Sequence, residues 1–126
     1  MPPCHFAYSC QVLDDKLNAG FMMRSSDLYH GLPTNIAAYA FLTHIVSHLV
    51  KIPVGTLGWL GSDCHLYRTQ YESAERQIKN SPLPFPSFRF KKEFETLDGA
   101  LALSYEDVEI VGYQNCGRFD KVEMAV

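Results

Sequence analysis

His5–Leu13 is rich in aromatic and β-favouring residues, Asp14-Asp15-Lys16 carries turn chemistry, and residues 17–25 run on in extended style. That alternation predicts a β-hairpin. Gly31-Leu32-Pro33 then breaks the chain, and Asn35 stands where an N-cap belongs, ahead of residues 36–50, which are apolar nearly all round. Such a segment predicts a buried helix, closed by Pro53 and Gly55. Residues 56–60 read as a short buried strand leading into Gly61-Ser62-Asp63, and residues 66–79 as a second helix. Alternating prolines at 82, 84 and 86 exclude helix over 81–87, because each removes a donor and fixes φ. Beyond them the pattern predicts a short strand over 88–90, a weak helix over 97–103 and a strand over 108–113. The fold class expected is α+β: a twisted, mostly antiparallel sheet packed against the long buried helix, in one domain over residues 1–126. No repeat, low-complexity tract or linker interrupts it.

A chain of 126 residues can bury roughly two-thirds of its unfolded surface, enough for one core. No apolar run is long enough to cross a bilayer and no signal-like segment opens the chain, which reads as a soluble cytoplasmic protein without membrane partners. Lys and Arg total 11 against 14 Asp and Glu, and the basic residues are scattered. The stripe of positive charge that a nucleic acid requires is missing, whereas a mononucleotide needs only one or two cations. Cys4, Cys10, Cys64 and Cys116 form no C-x-x-C pair and no zinc spacing, so the expectation is free thiols in a reducing compartment and no metal.

A hairpin centred near Asp14 pairs positions whose numbers sum to about 28, which sets Cys4 across from Arg24 and Ser25, with opposed side chains about 5 Å apart at Cβ. A cation at that range favours thiolate over thiol, and thiolate is the nucleophile. On spacing alone the commoner reading of Cys4 is a small buried hydrophobe, and that of Arg24 a solvated strand residue.

The residues also carry a resemblance. Pro2-Pro3-Cys4-His5, Arg24-Ser25-Ser26-Asp27, Gly31-Leu32-Pro33-Thr34-Asn35-Ile36-Ala37 with Tyr39-Ala40, and Asp63-Cys64-His65-Leu66-Tyr67 resemble successive signatures of thymidylate synthases, in family order. Pro82-Leu83-Pro84-Phe85-Pro86, Glu109-Ile110-Val111-Gly112-Tyr113 and the terminal Glu123-Met124-Ala125-Val126 continue it to the last residue.

The resemblance implies the C-terminal part of the thymidylate synthase fold and folate-dependent conversion of dUMP to dTMP. Cys4 would add to C6 of the uracil ring, making C5 an enolate-like carbon that takes the one-carbon group of the co-substrate 5,10-methylenetetrahydrofolate. Arg24 and Ser25, with Ser26, would hold the nucleotide phosphate. Asn35 would read the uracil edge, since a carboxamide offers an acceptor for N3–H and a donor for O4; as a sequence feature alone it is a helix cap. His65 and Tyr67 would reach the ribose hydroxyl. Asp27 would touch folate and help order the nucleotide; unassisted it is a turn former. Gly31 belongs to the same folate side. Ala125 and Val126 resemble a C-terminal tail that folds over bound folate and excludes water; an apolar chain end otherwise frays. His5 reads as a supporting polar residue outside the chemistry.

The match departs from the family at Met23 in place of Gln, Thr34 in place of Phe, Ala38 in place of Ser and Ser62 in place of Gly. Met23 before Arg24-Ser25 resembles the related nucleotide hydroxymethylases, which finish the same adduct with water instead of hydride, and Thr34 in place of Phe would make the folate side more polar. Asn35 favours uracil over cytosine, and the Glu123-Met124-Ala125-Val126 end favours the synthase. The family's catalytic glutamate, its pocket tryptophan and tyrosine, and the phosphate-binding arginines of the partner subunit have no counterpart here. The expectation is therefore a fragment or one half of a split enzyme, needing an N-terminal half or full-length partner subunit and forming a homodimer when complete. A hypothesis from another class is a catalytically silent nucleotide-binding or interaction module.

Overall fold

The computed structural model describes residues 3–117 and residue 122, so Ala125 and Val126 lie outside the described residues. The chain divides into two compact units, Met1–Tyr67 and Arg68–Val126, and its class is α+β.

In the first unit β1 (His5–Leu13) and β2 (Lys16–Asp27) form the expected hairpin, with Asp14 and Asp15 in the left-handed turn (φ 51° and 56°) that a two-residue connection demands. Helix α1 (Gly31–Val50) then crosses over, and β3 (Val54–His65) returns parallel to β2, giving the order β1-β2-β3. The sheet is thus mixed instead of mostly antiparallel. A helix between two adjacent strands brings the chain back in the same direction, and the sequence reading had not paired β2 with β3.

Three further expectations change. The strand expected over 56–60 is longer: the ladder with β2 continues through Ser25↔Asp63, Ser26↔Cys64 and Asp27↔His65, so β3 runs to His65. Asn35 is not a cap. Helix α1 begins at Gly31, because a proline in the first turn lacks only an N–H that would have no intrahelical partner. The turn before it is held by Asp27, whose Oδ1 accepts the backbone N–H of Tyr29 at 2.9 Å and of His30 at 3.1 Å. Nor is α1 buried in this chain. Thr43 is its one buried residue among those described, while Ile36, Phe41 and Leu42 stay substantially exposed. The helix packs on β2 and β3 and meets His5 and Tyr8 of β1, so a single sheet layer covers one side of an element whose sequence is apolar nearly all round.

The core between sheet and helix consists of Leu17, Ala19, Phe21 and Met23, alternate residues of β2, which is the period of a half-buried strand. Tyr39 of α1 stacks on Phe21 at 4.0 Å between ring centroids, and His5 and Tyr8 of β1 approach the same ring at 5.5 and 5.4 Å. A regular strand sends residues 5 and 8 to opposite faces. They share one because the register slips between His5↔Met23 and Ala7↔Met22, a β-bulge at Phe6.

The second unit holds a 3₁₀ turn (Arg68–Gln70), α2 (Tyr71–Gln77), β4 (Ser87–Phe90), α3 (Leu97–Leu101) and β5 (Val108–Val111), the last pairing antiparallel with β4. Both helices are shorter than expected. At α3 the reason is local: Ser104 adopts an extended backbone (φ −101°, ψ 169°) to cap the next turn, so the helix stops before it. Strand β5 stops at Val111 because Gly112 has φ +75°. Phe88, Phe90 and the buried Phe94 meet edge to face, at 5.0 and 4.9 Å.

Candidate functional site

The described candidate residues all fall in the first unit and gather at one end of its sheet. Strand β1 starts where the antiparallel β2 and the parallel β3 finish, and α1 begins beside that end. Crevices outside the carboxyl ends of parallel strands are recurrent ligand sites, because the loops there leave a helix N-terminus and side chains from several strands around one space.

Cys4 and Arg24 are joined across the hairpin. The Arg24 backbone N–H donates to the Cys4 carbonyl at 2.9 Å, its Nε donates to the Pro3 carbonyl at 3.1 Å, and Nη2 lies 3.8 Å from Cys4 Sγ. The guanidinium therefore grips the backbone of the Cys4 segment and reaches the Cys4 sulfur together. Cys4 is half-buried, the other three cysteines are exposed, and all four are free thiols.

Ser25 is half-buried opposite Asp63, whereas Ser26 is only 2% exposed opposite Cys64. Asp27 faces His65 across the ladder, and the Leu28 N–H donates to the His65 carbonyl at 3.0 Å, which ties the start of α1 to the end of β3. His65 Nδ1 is 3.5 Å from Asp63 Oδ1, and its ring meets Tyr67 edge-on at 5.0 Å. Gly31 lies between Asp27 and Asn35: a β-carbon there would sit in ordinary contact, 3.5 Å from Asp27 Cβ and 3.6 Å from Asn35 Oδ1.

Asn35 lies in the second turn of α1 with Nδ2 3.4 Å from His5 Nε2. The pair is the one site relationship that the sequence understated, and the position of His5 beside Cys4 was the available signal. When His5 Nε2 accepts from the amide, Asn35 presents Oδ1 as an acceptor and keeps a second N–H to donate.

Four buried polar atoms lack a hydrogen-bond partner among the described residues, and three lie at this end: His5 Nδ1, Ser26 Oγ and His30 Nε2. Native interiors rarely tolerate such atoms, and their concentration marks a place built for a polar ligand or water. No sequence pattern displays them, since each depends on packing. Among the described residues no cluster of His, Cys, Asp or Glu has the makings of a metal site, and no helix is long and apolar enough to cross a membrane.

One comparison bears on this arrangement: the family model described as thymidylate synthase matches residues 1–126, thus both units from end to end. With that match laid over the thiol, guanidinium and carboxamide gathered at the sheet end, the chain belongs to the thymidylate synthase family.

Proposed function

We propose that this chain supplies the nucleophile and most of the nucleotide site for folate-dependent C5 methylation of dUMP to dTMP. The observation that carries the reading is the Arg24 guanidinium 3.8 Å from Cys4 Sγ. A guanidinium at that distance can bond to a sulfur as negative charge develops on it, and a cysteine sulfur adds to an electron-poor carbon.

Cys4 Sγ forms a bond to C6, and the electron pair of the C5–C6 bond moves to C5 and the C4 carbonyl, leaving C5 nucleophilic. The guanidinium of Arg24, with Ser25 and Ser26, binds phosphate oxygens, a planar fork suited to that geometry. Asn35, oriented by His5, accepts from N3–H and donates to O4. His65 and Tyr67 hold the ribose. Asp27 and Gly31 face the folate in this reading. Methylenetetrahydrofolate supplies the carbon and the hydride. Ala125 and Val126 cover it in this reading. An N-terminal half or a full-length partner subunit contributes the glutamate and arginines and covers the open side of α1, and the complete enzyme is a homodimer.

Trapping tests the reading. Incubation with 5-fluoro-dUMP and methylenetetrahydrofolate, with and without a complementing N-terminal half, is expected to add the mass of both to the peptide carrying Cys4, and to add nothing in Cys4→Ser. Absence of an adduct in every combination overturns the chemistry and leaves a silent nucleotide-binding module. A second reading, hydroxymethylation of dUMP, is favoured by Thr34, whose exposed hydroxyl donates to the His30 carbonyl at 3.3 Å on the folate side of the helix.

A further inference from the structure

We propose that Asp63 is a positioning residue of the ribose subsite: it keeps the ring proton of His65 on Nδ1, so that Nε2 accepts and the site selects a nucleotide whose C3′ carries a hydrogen-bond donor. The inference rests on the nucleotide reading above and deepens it, from a contact with ribose to a requirement for a free sugar hydroxyl that a 3′-esterified nucleotide does not meet.

Three observations converge on the pair. Asp63 and His65 stand two apart at the end of β3, so the alternation of a strand sends both side chains to one face, and Asp63 Oδ1 lies 3.5 Å from His65 Nδ1. The imidazole is braced by a second ring, Tyr67, which meets it edge to face at 5.0 Å and 79°. The backbone beneath it is tied to two neighbouring segments, by register with Asp27 on β2 and by the Leu28 N–H, which donates to the His65 carbonyl at 3.0 Å. Asp27 turns its Oδ1 to the N–H groups of Tyr29 and His30, at 2.9 and 3.1 Å, whereas Asp63 Oδ1 faces the imidazole.

A neutral imidazole has one N–H and one lone pair, and the partner that each nitrogen meets decides which is which. An ionised carboxylate only accepts. The 3.5 Å separation is longer than a well-formed N–H···O bond, so the hold is chiefly electrostatic, and negative charge at that range favours the proton on the nearer nitrogen. His65 is the more sheltered of the two side chains, which limits screening of that field by salt. The lone pair of Nε2 is then left for the sugar. The one sugar hydroxyl of dUMP, on C3′, donates to it, whereas a fluorine, ether or phosphate ester at C3′ sets lone pair against lone pair.

Proton–nitrogen correlation spectra of the imidazole read the tautomer directly and need no nucleotide. In the full chain carrying isotope-labelled histidine, at about pH 8.5 where an ordinary imidazole is neutral, the His65 signals, assigned by their loss in His65→Gln, are expected to show Nδ1–H as the main form. Asp63→Asn, whose amide is able to turn a donor toward Nδ1, should shift the ring to Nε2–H, and Asp63→Glu, which keeps the carboxylate, should restore part of the Nδ1–H form. Nε2–H as the main form in the unaltered chain overturns the proposal whether or not a variant folds, as does Nδ1–H persisting in Asp63→Asn. Calorimetry then tests the selection. dUMP is expected to bind about three- to tenfold tighter than 3′-fluoro-2′,3′-dideoxyuridine monophosphate, the worth of one hydrogen bond, and the ratio should narrow in Asp63→Asn and recover in Asp63→Glu. Equal affinities in the unaltered chain overturn the selection while leaving the nucleotide reading standing. Failure of dUMP itself to bind overturns the nucleotide reading, and the selection with it whatever the tautomer.

Discussion

Arg24 carries two tasks with one side chain, holding the Pro3 backbone through Nε and reaching Cys4 Sγ through Nη2. Arg24→Gln keeps a polar chain but loses the charge, and hydrogen bonds to charged groups are worth about 1.5–3 kcal/mol. Alkylation of Cys4 by iodoacetamide, read by peptide mass, is expected to slow about 10-fold or more in that variant. An unchanged rate would remove the guanidinium from the chemistry. Tyr8 offers a test of packing. Burial, followed by its contact with Cys10, holds its phenol above the ordinary value of 10.0, and Thr43, only 1% exposed, bonds the hydroxyl at 3.2 Å. A raised acid group favours the folded state while protonated, so its contribution is whole below pH 10.0 and is lost as pH rises through the folded value. Alkaline urea titrations should therefore show a fall in stability that Tyr8→Phe removes.

Each element shows why part of the fold could be read and part could not. The hairpin was legible because Asp14-Asp15 marks its turn; its register was not, since the expected sum of about 28 set Cys4 across from Arg24 and Ser25, whereas the ladder sums to 29 from Leu13 to Ala7 and the bulge at Phe6 brings Cys4 to Arg24. The start of α1 was not, because Pro33 is a breaker inside a helix but tolerated in its first turn, and the side chain that organises the turn, Asp27, precedes the helix. Strand β3 was cut short because Gly61 suggested a turn. Its real constraint is space: a β-carbon there would lie 2.6 Å from Cys64 Sγ and closer still to the Trp59 ring. Gly61→Ala must displace that indole, with overpacking costs of about 1–3 kcal/mol. Because Trp59 is the single tryptophan, a shift in its emission maximum together with a lower urea midpoint checks the prediction directly. In the second unit, Ser104 and Asp107 form a capping box, and the hydrogen bonds from the Ser104 backbone and side chain hold the Asp107 carboxyl below its ordinary 3.8. The cap is present above pH 3.8 and is lost as pH falls through the folded value. Asp107→Asn should flatten that acid limb in a thermal melt.

At the scale of the molecule, the feature with most consequence is a helix apolar nearly all round but covered on one side. A sequence records which residues want burial without recording what buries them, so α1 was read as a core helix while Ile36, Phe41 and Leu42 remain 42%, 36% and 37% exposed. Exposed apolar surface of that kind drives association. Sedimentation of the isolated chain is expected to show concentration-dependent self-association, reduced in Ile36→Lys with Leu42→Lys and relieved by a complementing N-terminal half. A monomer at high concentration would contradict the need for a cover.

Chain length is ordinarily tolerated at exposed positions, and Phe6 is 63% exposed. Yet it is the extra residue of the β1 bulge, the one that lets His5 and Tyr8 share a face and so turns their neighbour Cys4 toward Arg24. If the strand ran regularly with Phe6 retained, the pairing sum of 29 that holds from Leu13 to Ala7 would set Cys4 opposite Ser25 and on the face of the aromatic stack. At this spot an irregularity of pairing does the positioning: a straightened strand would keep the cysteine in the sequence and carry it away from the guanidinium.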